Sequence, residues 1–302
     1  MAGNDNNQAI FGMDCYSPPE IQEKVEKLGV KKATMPFWPT FMLAIVAGGS
    51  IGLGGMYYTI VLADPDLSFA TQKIVGGLAF CLGLALVMVG GAELFTGNSL
   101  IVMARANGQI STAQMIRNWT IVWLGNAVGS LGLVFLVFMA HNDALNHGGV
   151  GKAIINLAIA KTNQDWITIF FKGILCNLMV CLAVWLAYAG RSVSDKIVAI
   201  ILPISAFVAA GFEHCVANMY FLPYALVLKA MGHVPEGVDV SMLTVGGVIQ
   251  NLIWATLGNI VGGGLLVGGI YWMIYRKSLG GLHPLVTSEA PKARPGRVAT
   301  SR

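Results

Sequence analysis

Charged residues are scarce in this sequence. Asp, Glu, Lys and Arg make up 11% of its 302 residues, and hydrophobic residues make up 55%. A soluble globular domain carries about 25% charged residues, so the composition excludes a soluble domain and predicts an integral membrane protein. The formal net charge of +4 is a mild surplus, which fits loops at a cytoplasmic membrane surface better than it fits a nucleic-acid partner.

Several chemical signatures are also missing. The five cysteines show no C-x-x-C or Cys/His ligand spacing, so we expect no metal site and no cofactor. No nucleophile–base pair is visible, which argues against a membrane enzyme. The N-terminus is polar through Lys32 and does not read as a cleavable signal peptide.

Six apolar stretches are long enough to cross a bilayer, which takes about 20 residues as a helix. They are Phe37–Leu62, Ile74–Met103, Trp119–Ala140, Trp166–Ala189, Lys196–Val227 and Val248–Tyr275. We therefore predict an all-α membrane domain over residues 37–277. It follows an N-terminal segment, 1–36, with an amphipathic helix at Ser17–Gly29, and precedes a disordered tail, 278–302. We expect the amphipathic helix to lie at the cytoplasmic mouth or on the membrane and to modulate access.

Two near-copies of one motif interrupt the second and fifth stretches. Both Gly91–Asn98 and Gly211–Asn218 read G-x-E-x-x-x-x-N. A carboxylate at membrane depth costs roughly 2.5–3.5 kcal/mol on insertion scales, so it usually has a partner or faces a cavity. We predict that the helices break here, and that Glu93 and Glu213, with Asn98 and Asn218, satisfy backbone N–H groups or polar side chains at the breaks.

A second motif, G-N-x-V-G, occurs at Gly125–Gly129 in the third stretch and at Gly258–Gly262 in the sixth. Its G-x-x-x-G spacing allows helices to approach closely, and the asparagine can hydrogen-bond between helices. Two motifs repeated in the same order divide the chain into halves of three helices. An odd number per half gives the halves opposite orientations, which is the inverted repeat of many transporters.

These motifs, together with Cys176–Trp185 and Gly211–Met219, resemble the formate/nitrite transporter family over nearly the whole chain, most closely its formate-channel branch. The resemblance implies an aquaporin-like fold with six helices, a pore in each protomer and a homopentamer. It also implies a bacterial inner-membrane location and a small monovalent anion as substrate, most plausibly formate, with nitrite, acetate and lactate as further candidates.

The resemblance also implies roles for matched residues. Thr96, after Leu94-Phe95 in the first break, would meet His214 of the second break in the middle of the pore. Phe80 and Phe207 match an outer constriction, and Leu84 and Leu94 match an inner one. Further predicted pore residues are Phe95, Lys161 near the outer vestibule, Asn177 as its polar companion, and Asn259.

Two alternatives stay open. One is a nitrite or hydrosulfide transporter with the same pore. The other, of a different class, is a pore for neutral solutes such as water, glycerol or ammonia, although the two Asn-Pro-Ala motifs expected of an aquaporin are absent from the sequence.

The first prediction concerns topology. Lys and Arg favour the cytoplasmic side, and 14 of them fall on the side of the termini against 4 on the other, Lys73, Lys152, Lys161 and Lys229. Both termini should therefore be cytoplasmic. We expect residues Asn142–Gln164, between the third and fourth stretches, to form a loop. Cysteines placed in this loop should react with an impermeant thiol reagent only from outside the cell, and labelling from the cytoplasm would overturn the topology.

Overall fold

The computed structural model describes residues 15–234 and 237–276, which are helical and contain no strand. The predicted tail, 278–302, lies outside the described residues. The α-helices are α1 Pro18–Thr34, α2 Phe37–Leu62, α3 Phe69–Gly90, α4 Val102–Ala106, α5 Thr112–Met139, α6 Gly149–Thr162, α7 Trp166–Ala189, α8 Val193–Ala209, α9 Cys215–Ala230, α10 Val245–Asn259 and α11 Ile270–Tyr275. Short 3-10 helices span Gly97–Ile101 and Asn142–Ala144, and a π-helix spans Ile260–Gly269.

Five helical segments are long and apolar enough to cross a membrane: α2, α3, α5, α7 and the continuous run Val245–Tyr275. They confirm that this is a helical membrane protein. The remaining predicted stretch, Lys196–Val227, is divided between α8 and α9.

Both predicted breaks are present. Helix α3 ends at Gly90, and Gly91 has a φ of 72°, a left-handed conformation that glycine adopts readily. Helix α8 ends at Ala209, and Gly211 has a φ of 69°. The chain becomes helical again at Gly97 in the first half and at Cys215 in the second. The glycine that opens each motif therefore turns the chain out of its helix.

The N-terminal amphipathic helix is present but longer than predicted. Its start has the predicted capping box, in which Ser17 N–H and Oγ–H both donate to Glu20 Oε2, at 2.8 and 2.7 Å. It continues through Gly29 to Thr34. Gly29 lies inside the helix and does not end it. Because it has no side chain, α1 packs closely against Ile101 and Ala104 at this point.

The segment between the third and fourth predicted stretches was expected to be a loop, and this expectation was wrong. It forms the 14-residue helix α6. Ile154, Ile155 and Ala158 of this helix are completely buried, so it packs into the protein. The sequence scan missed it because it is shorter than a membrane span.

The two G-N-x-V-G motifs make the predicted close helix contacts. In α5, a Cβ at Gly129 would overlap the carbonyl oxygen of Ile45 in α2. In the second half, a Cβ at Gly262 would overlap the carbonyl oxygen of Ile174 in α7. Glycine at these positions brings two backbones together, and the same approach occurs in both halves.

The second prediction tests this contact with two glycines of α5. Gly129→Ala should lower stability by about 1–3 kcal/mol because overpacking forces backbones apart. Gly132→Ala is the matched control, since a Cβ there meets nothing within 4 Å. Thermal unfolding in detergent compares the two variants, and an equal effect of both would contradict the packing argument.

Candidate pore site

The first break is held by the asparagine of the first G-N-x-V-G motif. Asn126 Oδ1 accepts a hydrogen bond from the Phe95 N–H at 2.9 Å, and Asn126 Nδ2 donates to the carbonyls of Ala44 and Glu93 at 2.8 and 2.9 Å. One side chain thus supplies the hydrogen bonds that non-helical backbone at membrane depth requires.

The second break is held in the same way by Asn259. Its Oδ1 accepts from the Cys215 N–H at 2.9 Å, and its Nδ2 donates to the carbonyls of Gly173 and Glu213 at 2.8 and 2.9 Å. Asn259 was predicted as a pore residue, but these contacts make it the support of the break. Asn126 has the equivalent position in the first half and was absent from the predicted site.

Glu93 is the centre of a buried polar network at the first break. Lys32 Nζ of α1 donates to Glu93 Oε1 at 2.8 Å and to Asn98 Oδ1 at 2.9 Å. Asn98 Nδ2 donates to Glu93 Oε2 at 2.7 Å and to Asn118 Oδ1 at 3.0 Å. The network closes through Asn118 Nδ2, which donates to the Lys32 carbonyl at 3.0 Å.

The second break repeats this network. Lys161 Nζ of α6 donates to Glu213 Oε2 at 3.1 Å. Asn218 Nδ2 donates to Glu213 Oε2 at 2.6 Å and to Asn251 Oδ1 at 2.7 Å. Asn251 Nδ2 donates in turn to the Lys161 carbonyl at 3.2 Å. Each glutamate therefore forms an ion pair with a lysine and accepts hydrogen bonds from asparagine side chains.

The prediction that the glutamates accept hydrogen bonds from polar side chains agrees with these contacts, but the lysines were not anticipated as partners. Lys161 was placed near an outer vestibule by resemblance, and the structure buries it against Glu213, with 7% of Lys161 exposed. Lys32, Asn118 and Asn251 were missed altogether. A signal for the asparagines existed, because Asn118 and Asn251 each stand eight residues before the asparagine of a G-N-x-V-G motif.

Thr96 and His214 meet between the two breaks, as the resemblance implies. Thr96 Oγ1 lies 3.0 Å from His214 Nε2, and both residues are almost fully buried. His214 is also the N-cap of α9, where its Nδ1 accepts from the Ala217 N–H at 3.0 Å. A backbone N–H can only donate, so in the neutral imidazole Nε2 carries the hydrogen and donates to Thr96 Oγ1.

Asn177 has other partners than the predicted one. Its Nδ2 donates to the Thr96 carbonyl and to Ser99 Oγ, both at 3.2 Å, and to the Asn259 carbonyl at 2.6 Å. It was expected beside Lys161, but these contacts fix the backbone of Thr96. The Asn259 carbonyl is at the start of the π-helix, which shifts the hydrogen bonding of that turn.

Two cavities are bordered by predicted pore residues, and His214 borders the second of them. One, of about 280 Å³, is bordered by Lys32, Leu84, Glu93 and Leu94. The other, of about 30 Å³, is bordered by Phe80, Phe207, His214 and Lys161. Leu84 and Leu94 thus lie together in one cavity wall, and the two phenylalanines lie together in the other.

The aromatic residues continue this arrangement. The rings of Phe80 and Phe207 meet edge to face at 5.8 Å, and Phe207 stacks on the His214 ring at 5.8 Å. Phe95 borders neither of these cavities. It lies against Trp119 at 6.4 Å and lines an outward-facing apolar crevice.

Comparison with known proteins gives consistent matches. The family described as formate/nitrite transporter matches residues 19–273. The formate channel FocA of Escherichia coli (strain K12) is 42% identical over 273 residues, covering 87% of this chain and 95% of FocA. A probable formate transporter of Methanothermobacter thermautotrophicus is 33% identical, covering 88% of this chain and all of that protein.

Two solved structures are also similar. A pentameric formate channel with formate bound has a TM-score of 0.74 at 41% identity, covering 79% of this chain and 97% of the channel. An ion channel of the FNT family has a TM-score of 0.75 at 30% identity, covering 84% of this chain and 98% of the other.

The third prediction tests the Lys161–Glu213 pair. Lys161→Met leaves a buried carboxylate without its cation, so stability should fall by about 3–5 kcal/mol. Lys161→Met combined with Glu213→Gln removes both charges and should recover a large part of that loss. Thermal unfolding in detergent measures the recovery. A double variant that loses the sum of the two single losses would mean that the pair is not coupled.

Proposed function

The chain belongs to the formate/nitrite transporter family, and we propose that it transports formate across a membrane through a pore within the single chain. The pore runs from the cavity at Leu84 and Leu94, past Thr96 and His214, to the cavity at Phe80 and Phe207. It is not an enzyme; its family is one of transporters and channels.

The observation that carries this proposal is the Thr96–His214 contact of 3.0 Å. His214 borders one cavity together with Phe80 and Phe207, and Leu94, two residues before Thr96, borders the other together with Leu84. A formate ion crossing between leucines and phenylalanines loses its water, which is costly for a charge. A hydrogen-bond donor at the narrowest point lowers that cost. The His214 Nε2–H points at Thr96 Oγ1, so the threonine hydroxyl hydrogen is free to turn toward the anion.

Protonation of His214 is linked to the position of the second break. A charged imidazole needs a hydrogen on Nδ1, but Nδ1 accepts the Ala217 N–H. Protonation therefore requires His214 to give up its cap on α9. We infer that His214 rests neutral as a donor, and that acid on either side of the membrane affects the pore through this residue.

We further propose the complete architecture that the resemblance implies: six crossings in two inverted repeats, both termini in the cytoplasm, and a homopentamer in a bacterial inner membrane. The matched networks around Glu93 and Glu213 support the inverted repeat, and the similar solved channel described as pentameric supports the pentamer. Helix α1 borders the larger cavity through Leu28, Lys31 and Lys32, which supports its proposed role in access from the cytoplasm.

Transport by purified protein in liposomes tests the function directly. Labelled formate, nitrite, acetate, lactate and hydrosulfide are compared at two external pH values, with water and glycerol as neutral solutes. We expect formate to enter fastest. Glycerol entry faster than formate entry would favour the neutral-solute pore instead.

The fourth prediction is that His214→Asn loses the pH dependence of formate uptake and keeps a residual leak. Asparagine is a good helix N-cap and retains a donor amide, but it does not titrate. His214→Phe should block uptake because it removes the donor and fills the gap. Thr96→Ser is the control that keeps the hydroxyl and should retain pH-dependent uptake. Wild-type rate and pH dependence in His214→Asn would reduce His214 to a simple hydrogen-bond donor.

A further inference from the structure

A cluster of three cations lies around Tyr16, where the chain enters α1. Lys24 Nζ and the Arg191 guanidinium both lie over the ring of Tyr16, at 4.3 and 4.4 Å from its centre. Lys196 lies in the first turn of α8, five residues after Arg191, and its charge contributes to a lowered pKa of Lys24, after the larger effect of burial. Three positive charges are thus held together by the fold itself.

Two carboxylates near this cluster, Glu20 and Asp195, offset only part of its charge. Glu20 accepts hydrogen bonds from Ser17 in the capping box of α1. Asp195 Oδ2 accepts from the backbone N–H groups of Arg191 and Ser192, where it caps α8. The ammonium of Lys24 donates to a neutral carbonyl, that of Tyr188, at 3.0 Å. Hydrogen bonds do not cancel the charge of a carboxylate, so these two carboxylates offset two of the three cations, and the cluster retains one positive charge that attracts an anion.

The surroundings of the cluster are apolar and exposed. Arg191 lies between the end of α7 at Ala189 and the start of α8 at Val193. On α8, Val193, Ile197 and Val198 are 55%, 38% and 67% exposed. In a membrane-spanning chain, cations beside exposed aliphatic side chains mark the boundary between headgroups and hydrocarbon. A dissolved phosphate ion would use the cations alone, whereas a phospholipid would use both features.

We propose that this cluster, Lys24, Arg191 and Lys196 around Tyr16, binds the phosphate headgroup of an anionic phospholipid. Its acyl chains lie along Val193, Ile197 and Val198 of α8. Each basic residue at an anionic membrane surface strengthens binding about fivefold. The location rests on the proposed membrane orientation, which puts the start of α1 at the cytoplasmic surface, where anionic lipids attract basic residues.

The bound headgroup also affects α1. The Tyr16 N–H donates to the Ala189 carbonyl at 2.9 Å, so Tyr16 joins the start of α1 to the end of α7. Mutual repulsion among the three cations opposes this junction, and an anionic headgroup removes the repulsion. The lipid therefore holds α1 in place beside the larger cavity.

Cys15 provides a natural reporter of this junction. It is exposed and adjacent to Tyr16, while Cys81, Cys176, Cys181 and Cys215 are buried. The experiment measures the reaction of Cys15 with N-ethylmaleimide, an uncharged reagent, using full-length protein in nanodiscs. Phosphatidylglycerol nanodiscs are compared with phosphatidylcholine nanodiscs, and phosphatidylcholine nanodiscs with added inorganic phosphate form the third arm.

We expect labelling at least fivefold slower in phosphatidylglycerol than in phosphatidylcholine. Arg191→Gln with Lys196→Gln should remove the difference, and Arg191→Lys should preserve it. Lys27→Gln is the matched control on the same helix, because Lys27 is exposed and paired with Glu23, and it should also preserve the difference.

Three results would overturn the proposal. Equal labelling in both lipids would exclude lipid binding at the cluster, and slowing by inorganic phosphate alone would assign the site to a free anion. A difference that persists in the double glutamine variant would place the lipid elsewhere. The measurement involves no transport and both leaflets of a nanodisc are alike, so its failure is distinguishable from a failure of the proposed formate pore.

Discussion

The burial of two carboxylates at membrane depth is the constraint on which the rest of this structure depends. An uncompensated charge there is costly, and Glu93 and Glu213 are each paired with a lysine at 2.8 and 3.1 Å. Each lysine comes from a helix that precedes the broken helix in its half, α1 or α6. The asparagine amides then bind the carboxylates and one another. A buried ion pair adds little net stability compared with apolar residues of the same shape. The main effect of each pair here is therefore to determine which helices pack around each break.

Helix α1 consequently has a structural counterpart. Lys32 of α1 relates to Glu93, Asn98 and Asn118 as Lys161 of α6 relates to Glu213, Asn218 and Asn251. By these contacts, α1 is a structural part of the first half of the protein. Any movement of α1 that separates Lys32 from Glu93 exposes a carboxylate next to the larger cavity. In the pore that we propose, access through this cavity is therefore coupled to the electrostatics of the break.

Much of this arrangement is readable from the sequence because polar residues are so rare in the apolar stretches. The duplicated G-x-E-x-x-x-x-N and G-N-x-V-G motifs correctly locate both helix breaks and both glycine contacts.

The lysine partners of the two glutamates are harder to predict. Lys32 lies 61 residues before Glu93, and nothing local distinguishes it from Lys31, since the choice depends on which face of α1 meets the protein. Helix α6 escapes a search for membrane spans because it is buried without crossing. The π-helix after Asn259 could not be predicted from the repeat, because the helix that contains Asn126 has no π-helical segment.

The chemistry of the pore that we propose arises where the two breaks differ. The framework is duplicated, but the two breaks contribute polar residues from different motif positions: Thr96 is the sixth residue of the first motif, and His214 is the fourth residue of the second, where the first has Leu94. His214 caps α9 through Nδ1, which directs its Nε2–H to the threonine hydroxyl. Two threonines would form a donor pair without a titratable group, and two histidines would place two basic rings in one buried space. One hydroxyl and one imidazole give a hydrogen-bond donor for an anion together with a single site of protonation. Because that protonation breaks the cap of α9, the titration of the pore and the geometry of the second break change together.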